Sequence, residues 1–202
     1  MKKIILTLLA LAGIFAIYWF QFRNSASSAP GQARQEALKV SAHSPAFNSG
    51  IDSLMQSYFA IQAAFIDGDS TRAKQAGVAF TAKVATVNME ELKKDSNGIY
   101  ESANTFLTDI KSSSESLSKQ TTLTEMRQDF KSVSENLYPL LKTIHYEGQK
   151  LYWQNCPMAF GEDKEANWIS STEEIMNPYM GKNHPEFKSG MLHCGEVKDT
   201  IK

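Results

Sequence analysis

Through the middle of the chain, apolar residues recur at steps of three and four, and that period predicts helices. Ile51, Leu54, Met55, Tyr58, Ile61 and Phe65 fall on one face of a first helix. Asp67-Gly68-Asp69-Ser70 then reads as a stop followed by a cap. A second stripe runs through Ala73, Ala76, Phe80, Val84 and Val87, up to the turn signal Asp95-Ser96-Asn97-Gly98. Tyr100, Ala103, Phe106, Leu107 and Ile110 make a third, with Leu117 at its frayed end and Ser112 to Ser118 read as a polar connection. The fourth carries Leu123, Met126, Phe130, Val133, Leu137, Leu141 and Ile144. Pro139 is expected to kink it or end it near Tyr138, because proline removes a backbone donor and clashes with the turn before it. Four amphipathic segments with short connections predict an all-α fold, an up-down four-helix bundle over residues 49–148.

Both flanks break this pattern. Lys2 and Lys3 precede an apolar run from Ile4 to Phe20 that carries Tyr18 and Trp19 near its outer end. A positive start, an apolar segment and an aromatic belt predict export through a bacterial-type inner membrane. Residues 1–23 therefore read as a signal anchor or a signal peptide. The anchor is favoured because the small-residue cleavage patterns are poorly sited. Ala10-Leu11-Ala12 lies inside the apolar run, and Ser27-Ser28-Ala29 is followed by Pro30. The rest of the chain would then sit on the periplasmic side of the membrane, tethered, or soluble in the periplasm if the segment is removed. Residues 24–48, rich in Ser, Ala, Gln and Pro, read as a linker.

After Gly148 the helical period stops, and Pro157, Gly161, Pro178, Gly181, Pro185, Gly190 and Gly195 punctuate the chain. Residues 149–202 are expected to form a loop-rich C-terminal Cys/Met lobe with up to two short strands. It would dock on the bundle through Tyr152, Trp153, Trp168 and Tyr179, making one domain with it.

Composition narrows the function. A formal net charge of -1 offers no electrostatic case for nucleic acid, and the 42% hydrophobic content is that of an ordinary folded domain. The four helical segments carry no Glu-x-x-His pair of the kind a di-iron bundle uses, and His145 is their one histidine. No Ser-His-Asp order or Gly-rich phosphate loop is identifiable, and the acids Glu162, Asp163, Glu165, Glu173 and Glu174 read as solvated surface. The expectation is a protein that is not an enzyme.

What chemistry the sequence offers lies in the lobe, which holds both cysteines and four of the eight methionines. In extended chain, Cys156 and Met158 share a face, and Met191 and Cys194 form a second sulfur pair around His193. If the two segments meet, Cys156, Met158, Met191 and Cys194 make a soft cluster suited to Cu(I) or Ag(I). His193 and His184 are additional candidate ligands, and Met176 and Met180 lie further out. Structural zinc is less well served, because Cys-x-x-Cys spacings are missing. The alternative is a Cys156–Cys194 disulfide, the common state of two cysteines in an exported protein. The two states exclude each other in any one molecule.

Four short motifs carry a resemblance. Cys156-Pro157-Met158-Ala159, Trp168-Ile169-Ser170, Ile175 to Gly181 and Met191 to Val197 resemble the DUF3347 family, a domain of unknown function. The family occurs as free-standing exported proteins and as C-terminal extensions of periplasmic adaptors in copper/silver-type efflux pumps. The resemblance spans about residues 50–197, loosely over the helices and closely over the lobe. It implies periplasmic handling of Cu(I) or a similar metal, with Cys156, Met158, Met191 and Cys194 as the matching positions and efflux or adaptor proteins as partners. Lys182 to Gly190 departs from the family pattern as an insert and brings in His184. A second expectation is a disulfide-stabilised module that binds protein and no metal.

Overall fold

Ser44 starts the first helix. Its hydroxyl accepts from the Phe47 amide and Pro45 takes the first turn, where a missing N–H costs nothing, so α1 runs Pro45–Asp67. Gly68 closes it in the left-handed conformation, and the Asp69 side chain caps α2, Ser70–Val84. A short 3-10 segment, Glu90–Lys94, buries Leu92 and leads to α3, Ile99–Lys119. Thr122 and Glu125 form a reciprocal capping box ahead of α4, Leu123–Thr143. Three strands complete the chain: β1, Leu151–Cys156; β2, Ala166–Ser170; and β3, Glu196–Ile201. The structure is a computed structural model and describes residues 42–95 and 98–202. The expected anchor, residues 1–23, lies outside the described residues, as does most of the expected linker. Among the described residues, no helix is long and apolar enough to cross a membrane.

Helices adjacent in sequence pack on one another: α1 on α2, α2 on α3 and α3 on α4. The apolar stripes form their common core, with Leu54, Tyr58, Phe65, Phe80, Ile110, Phe130 and Leu137 fully buried. Gly77 permits the close approach of α2 and α3, because a Cβ there would lie 2.5 Å from Leu117 Cδ2. The mostly helical reading is therefore correct, and three details differ. The Ser112–Ser118 stretch is helix, and Leu117 is fully buried inside α3. Ser114 Oγ donates to the Lys111 carbonyl and accepts from Thr81, and Ser118 Oγ donates to the Ser114 carbonyl. Bonds to the preceding turn let serine stay helical where it would otherwise compete with the backbone. Pro139 does not end α4, which continues to Thr143 with Leu140 and Leu141 fully buried. Burial of that last turn outweighs the one lost backbone bond.

The third difference is at the start. The first helix begins inside the segment read as linker, because acids of two other segments hold His43 to Asn48 in place. Glu91 accepts from Ser44 N at 2.8 Å and from the Ser44 hydroxyl, while Glu147 accepts from His43 N and Asn48 Nδ2. His43 is buried, stacked on Phe47 at 4.4 Å, with Nε2 2.6 Å from the Ile144 carbonyl.

The lobe holds more regular structure than its prolines and glycines predict. Its strands form an antiparallel sheet in the order β2-β1-β3, with Gln154 opposite Trp168 and Asn155 opposite Glu196. β3 carries Glu196, Lys198 and Asp199, charges that guard an edge against further pairing. The sheet meets the helices at named points. Tyr58 Oη, buried and bonded to Ser134, accepts from Ile169 N at 3.0 Å. Trp153 stacks on Tyr138 at 4.3 Å, and Lys142 pairs with Asp199 at 2.8 Å. Trp168 and Tyr179 are both buried and edge-on to each other, and the Tyr179 ring lies 6.0 Å from Phe130 of α4. Tyr152, also expected to dock, is instead half-buried, with the Lys150 ammonium 4.7 Å from its ring centre.

Candidate functional site

Cys156 ends β1 and is fully buried; Cys194 stands two residues before β3 and is half-buried. Their sulfurs lie 3.4 Å apart, both as free thiols. Strand pairing explains the meeting, because Asn155 opposite Glu196 carries the next residues toward each other. Two residues tighten it. Gly195 adopts φ 145°, and a Cβ there would lie 2.6 Å from the Asn155 carbonyl and 3.0 Å from Trp168. Only glycine lets the chain pass that close to β1. Asn177, fully buried, donates from Nδ2 to the Cys194 carbonyl at 2.8 Å and accepts on Oδ1 from the amides of Tyr179 and Met180. One amide side chain thus ties the Cys194 turn to the Pro178–Met180 turn.

Burial first, then the neighbouring Cys156 thiol, pushes the Cys194 thiol up to about 11. Cys194 is therefore a poor nucleophile at neutral pH, and a thiolate there would need a cation to balance it. Two thiols in contact can bind a soft cation as thiolates, releasing two protons to solvent, or form a disulfide, giving two electrons and two protons to an oxidant. They are set up for either.

The remaining sulfur and imidazole candidates do not all gather here. The chain turns at Pro157-Met158 instead of staying extended, so the same-face argument for Cys156 and Met158 fails. Met158 lines a cleft whose walls include neither cysteine, together with Met180 and His184. Met191 is half-buried against the core, across the turn closed by Cys194 N on its carbonyl. Met176 is half-buried as well. His193 is exposed, its Nδ1 2.8 Å from the Ile175 carbonyl, and His184 Nδ1 accepts from the amides of Glu186 and Phe187. Among the described residues, no three of His, Cys, Asp or Glu converge as a metal cluster would require.

Sequence reasoning missed Arg127, which lines that cleft and is 8% exposed. A signal for it existed. Arg127 occupies the buried stripe of α4 between Leu123 and Phe130, where the period calls for an apolar residue.

The sequence model of a family described as "Protein of unknown function (DUF3347)" matches residues 54–149. The match begins within α1 and ends before β1, so it rests on the helices and leaves the lobe outside. No curated protein and no solved structure matches the chain.

Proposed function

We propose that this chain, which belongs to the DUF3347 family through residues 54–149, is a non-enzymatic domain binding a soft metal ion on the periplasmic side of the inner membrane. The helices, in the up-down arrangement their sequence suggests, act as a rigid mount for the lobe. The observation that carries the reading is the 3.4 Å approach of the Cys156 and Cys194 sulfurs. Two adjacent soft donors suit Cu(I) or Ag(I), which accept two thiolates, and suit zinc poorly, which asks for four ligands. The residues that would hold the ion are Cys156 and Cys194. Met191, three residues from Cys194, is the candidate thioether; Met158, although two residues from Cys156, contributes to a different cavity. Buffering such an ion, or passing it to an efflux protein, is the role implied by the chain's resemblance to a family that also occurs as an extension of efflux adaptors.

A second reading has an observation of its own. Burial opposes the thiolate at Cys194, whereas a disulfide places no charge in the lobe. In that form the pair locks a protein-binding module.

One titration separates the two. The full chain, in nonionic detergent, reduced and kept anaerobic, is titrated with Cu(I) against a chromophoric competing chelator. Tight one-to-one binding that is lost in Cys156→Ser and in Cys194→Ser is the expected result. Loss in Met191→Leu as well adds the thioether to the ligand set. Failure of the reduced wild type to compete removes the metal reading, and a natively isolated protein with no free thiols then supports the lock.

A further inference from the structure

A buried guanidinium normally faces a carboxylate or a full set of acceptors, because desolvating an uncompensated charge is costly. Arg127 has neither. Its Nη2 donates to the Phe65 carbonyl at 2.9 Å, at the C-terminal end of α1, where the helix dipole supplies partial negative charge. Its Nε is buried without a hydrogen-bond partner, and it joins none of the ion pairs among the described residues. Burial pulls its pKa down to about 10, so it remains a cation at neutral pH.

Arg127 lines a cleft of about 600 Å³, within the size range of small-molecule sites. Met158, Phe160, Tyr179 and Met180 supply apolar walls. Phe187, one of two large apolar side chains exposed among the described residues, adds an outer wall and stacks on His184 at 5.0 Å. The His184 pKa is lowered by burial and then by the positive charge of Arg127. That same field opposes a metal cation between Met158 and Met180, although their thioethers are soft donors. Glu162 and Glu186 also line the cleft without pairing with Arg127. The two acids beside the one cation oppose a ligand that carries several negative charges.

We infer that this cleft binds a small organic monocarboxylate, its carboxylate on the Arg127 guanidinium and its apolar body against Met158, Phe160 and Met180. The planar guanidinium of arginine matches a carboxylate, and among the described residues no acidic side chain pairs with it. The site is separate from the thiol pair and stands whichever state that pair adopts.

The test uses the full ¹⁵N-labelled chain in nonionic detergent, with phenylacetate as probe, neutral phenylacetamide as its isostere and inorganic phosphate as the control anion. The Arg127 Nε–H resonance, assigned by its loss in Arg127→Lys, is the readout. Phenylacetate is expected to shift it saturably and to bind at least about tenfold more tightly than the amide or phosphate. Arg127→Met is expected to abolish the preference for the carboxylate. Because that change also strips the Phe65 carbonyl of its donor, Met158→Trp serves as a second variant, narrowing the cleft with Arg127 intact. It should weaken phenylacetate about tenfold or more. Absence of a phenylacetate shift, equal binding of the amide, phosphate binding as tight as the carboxylate, or unaltered binding in Met158→Trp would each overturn the proposal.

Discussion

The helical body and the sheet lobe solve the same problem, burying apolar surface, by opposite means. The body repeats one rule, an apolar residue every three or four positions, and its core fills with interchangeable side chains such as Leu54, Ile61, Ile110 and Leu137. The lobe uses single contacts that no neighbour could replace: Asn177 between two turns, Gly195 against β1, the Tyr58 hydroxyl on Ile169. Redundant packing tolerates change and carries little chemistry. Singular contacts position thiols and a cleft, at the cost of depending on each residue. The reactive groups of this protein accordingly sit where the packing is least redundant.

That contrast can be broken most severely at Phe130, where the two regions share a core residue. Its ring lies 4.9 Å from Tyr58 and 5.2 Å from Phe65 in the body, and 6.0 Å from Tyr179 in the lobe. Phe130→Ala is expected to destabilise the protein by about 3–5 kcal/mol. Urea unfolding should show far-UV circular dichroism and Trp fluorescence shifting together, the latter in a Trp19→Phe background that leaves Trp153 and Trp168 as lobe reporters. If only one signal shifts, the two regions do not share the core.

The thiol pair sharpens the comparison next. Oxidising Cys156 to Cys194, 38 positions apart in sequence, is expected to raise lobe stability by about 3–4 kcal/mol. The gain should appear in the Trp transition before the helical one, when oxidised and reduced protein are compared in the same denaturant series. Equal midpoints would mean that existing contacts already confine the reduced lobe.

A smaller, local effect is expected from Asn177→Ala. It leaves the Cys194 carbonyl and the amides of Tyr179 and Met180 without their partner, at about 1–3 kcal/mol. Amide exchange should accelerate around residues 177–194 and not in α3. Uniform acceleration would show that Asn177 supports the whole unit.

The smallest effect concerns pH. Lys142, then Tyr138 and the Thr200 amide, hold the Asp199 carboxyl at about 2. A folded-state pKa below the unfolded one stabilises above the ordinary carboxylate range, near about 4, and the contribution is lost as pH falls through about 2. Because Asp199 is 40% exposed, solvent screening limits this contribution to under about 1 kcal/mol. Asp199→Asn should therefore flatten the stability profile between about pH 4 and pH 2 and leave the neutral midpoint almost unchanged. An unaltered acid limb would show that Lys142–Asp199 does not tie β3 to α4.

How far the sequence could be read follows the same division. Every stripe assigned to the helices supplies buried residues, from Ile51 and Leu54 to Leu137 and Leu141. Helical errors arose where a local rule met a stronger burial contribution, as at Pro139 and at Ser114. The meeting of Cys156 and Cys194 was legible as a pair, though the surrounding four-sulfur arrangement was not. Whether Met158 shares a face with Cys156 depends on a turn at Pro157 that the residue pattern did not reveal. Arg127 was visible as a charge on an apolar stripe and was passed over, because the period alone says nothing about what a buried cation faces.

By itself, the sequence determined the helices, their caps and their apolar faces, because these depend on residues within a turn or two of one another. It also determined that the soft donors would be concentrated beyond Gly148. Only the tertiary structure decided which of those donors meet. Cys156 and Cys194 are joined by the β1–β3 register, by Gly195 and by the Asn177 clamp, while Met158 is turned away into the cleft beside Arg127. Those outcomes rest on contacts between segments far apart in the chain, and such contacts leave no period in the sequence for a local rule to find.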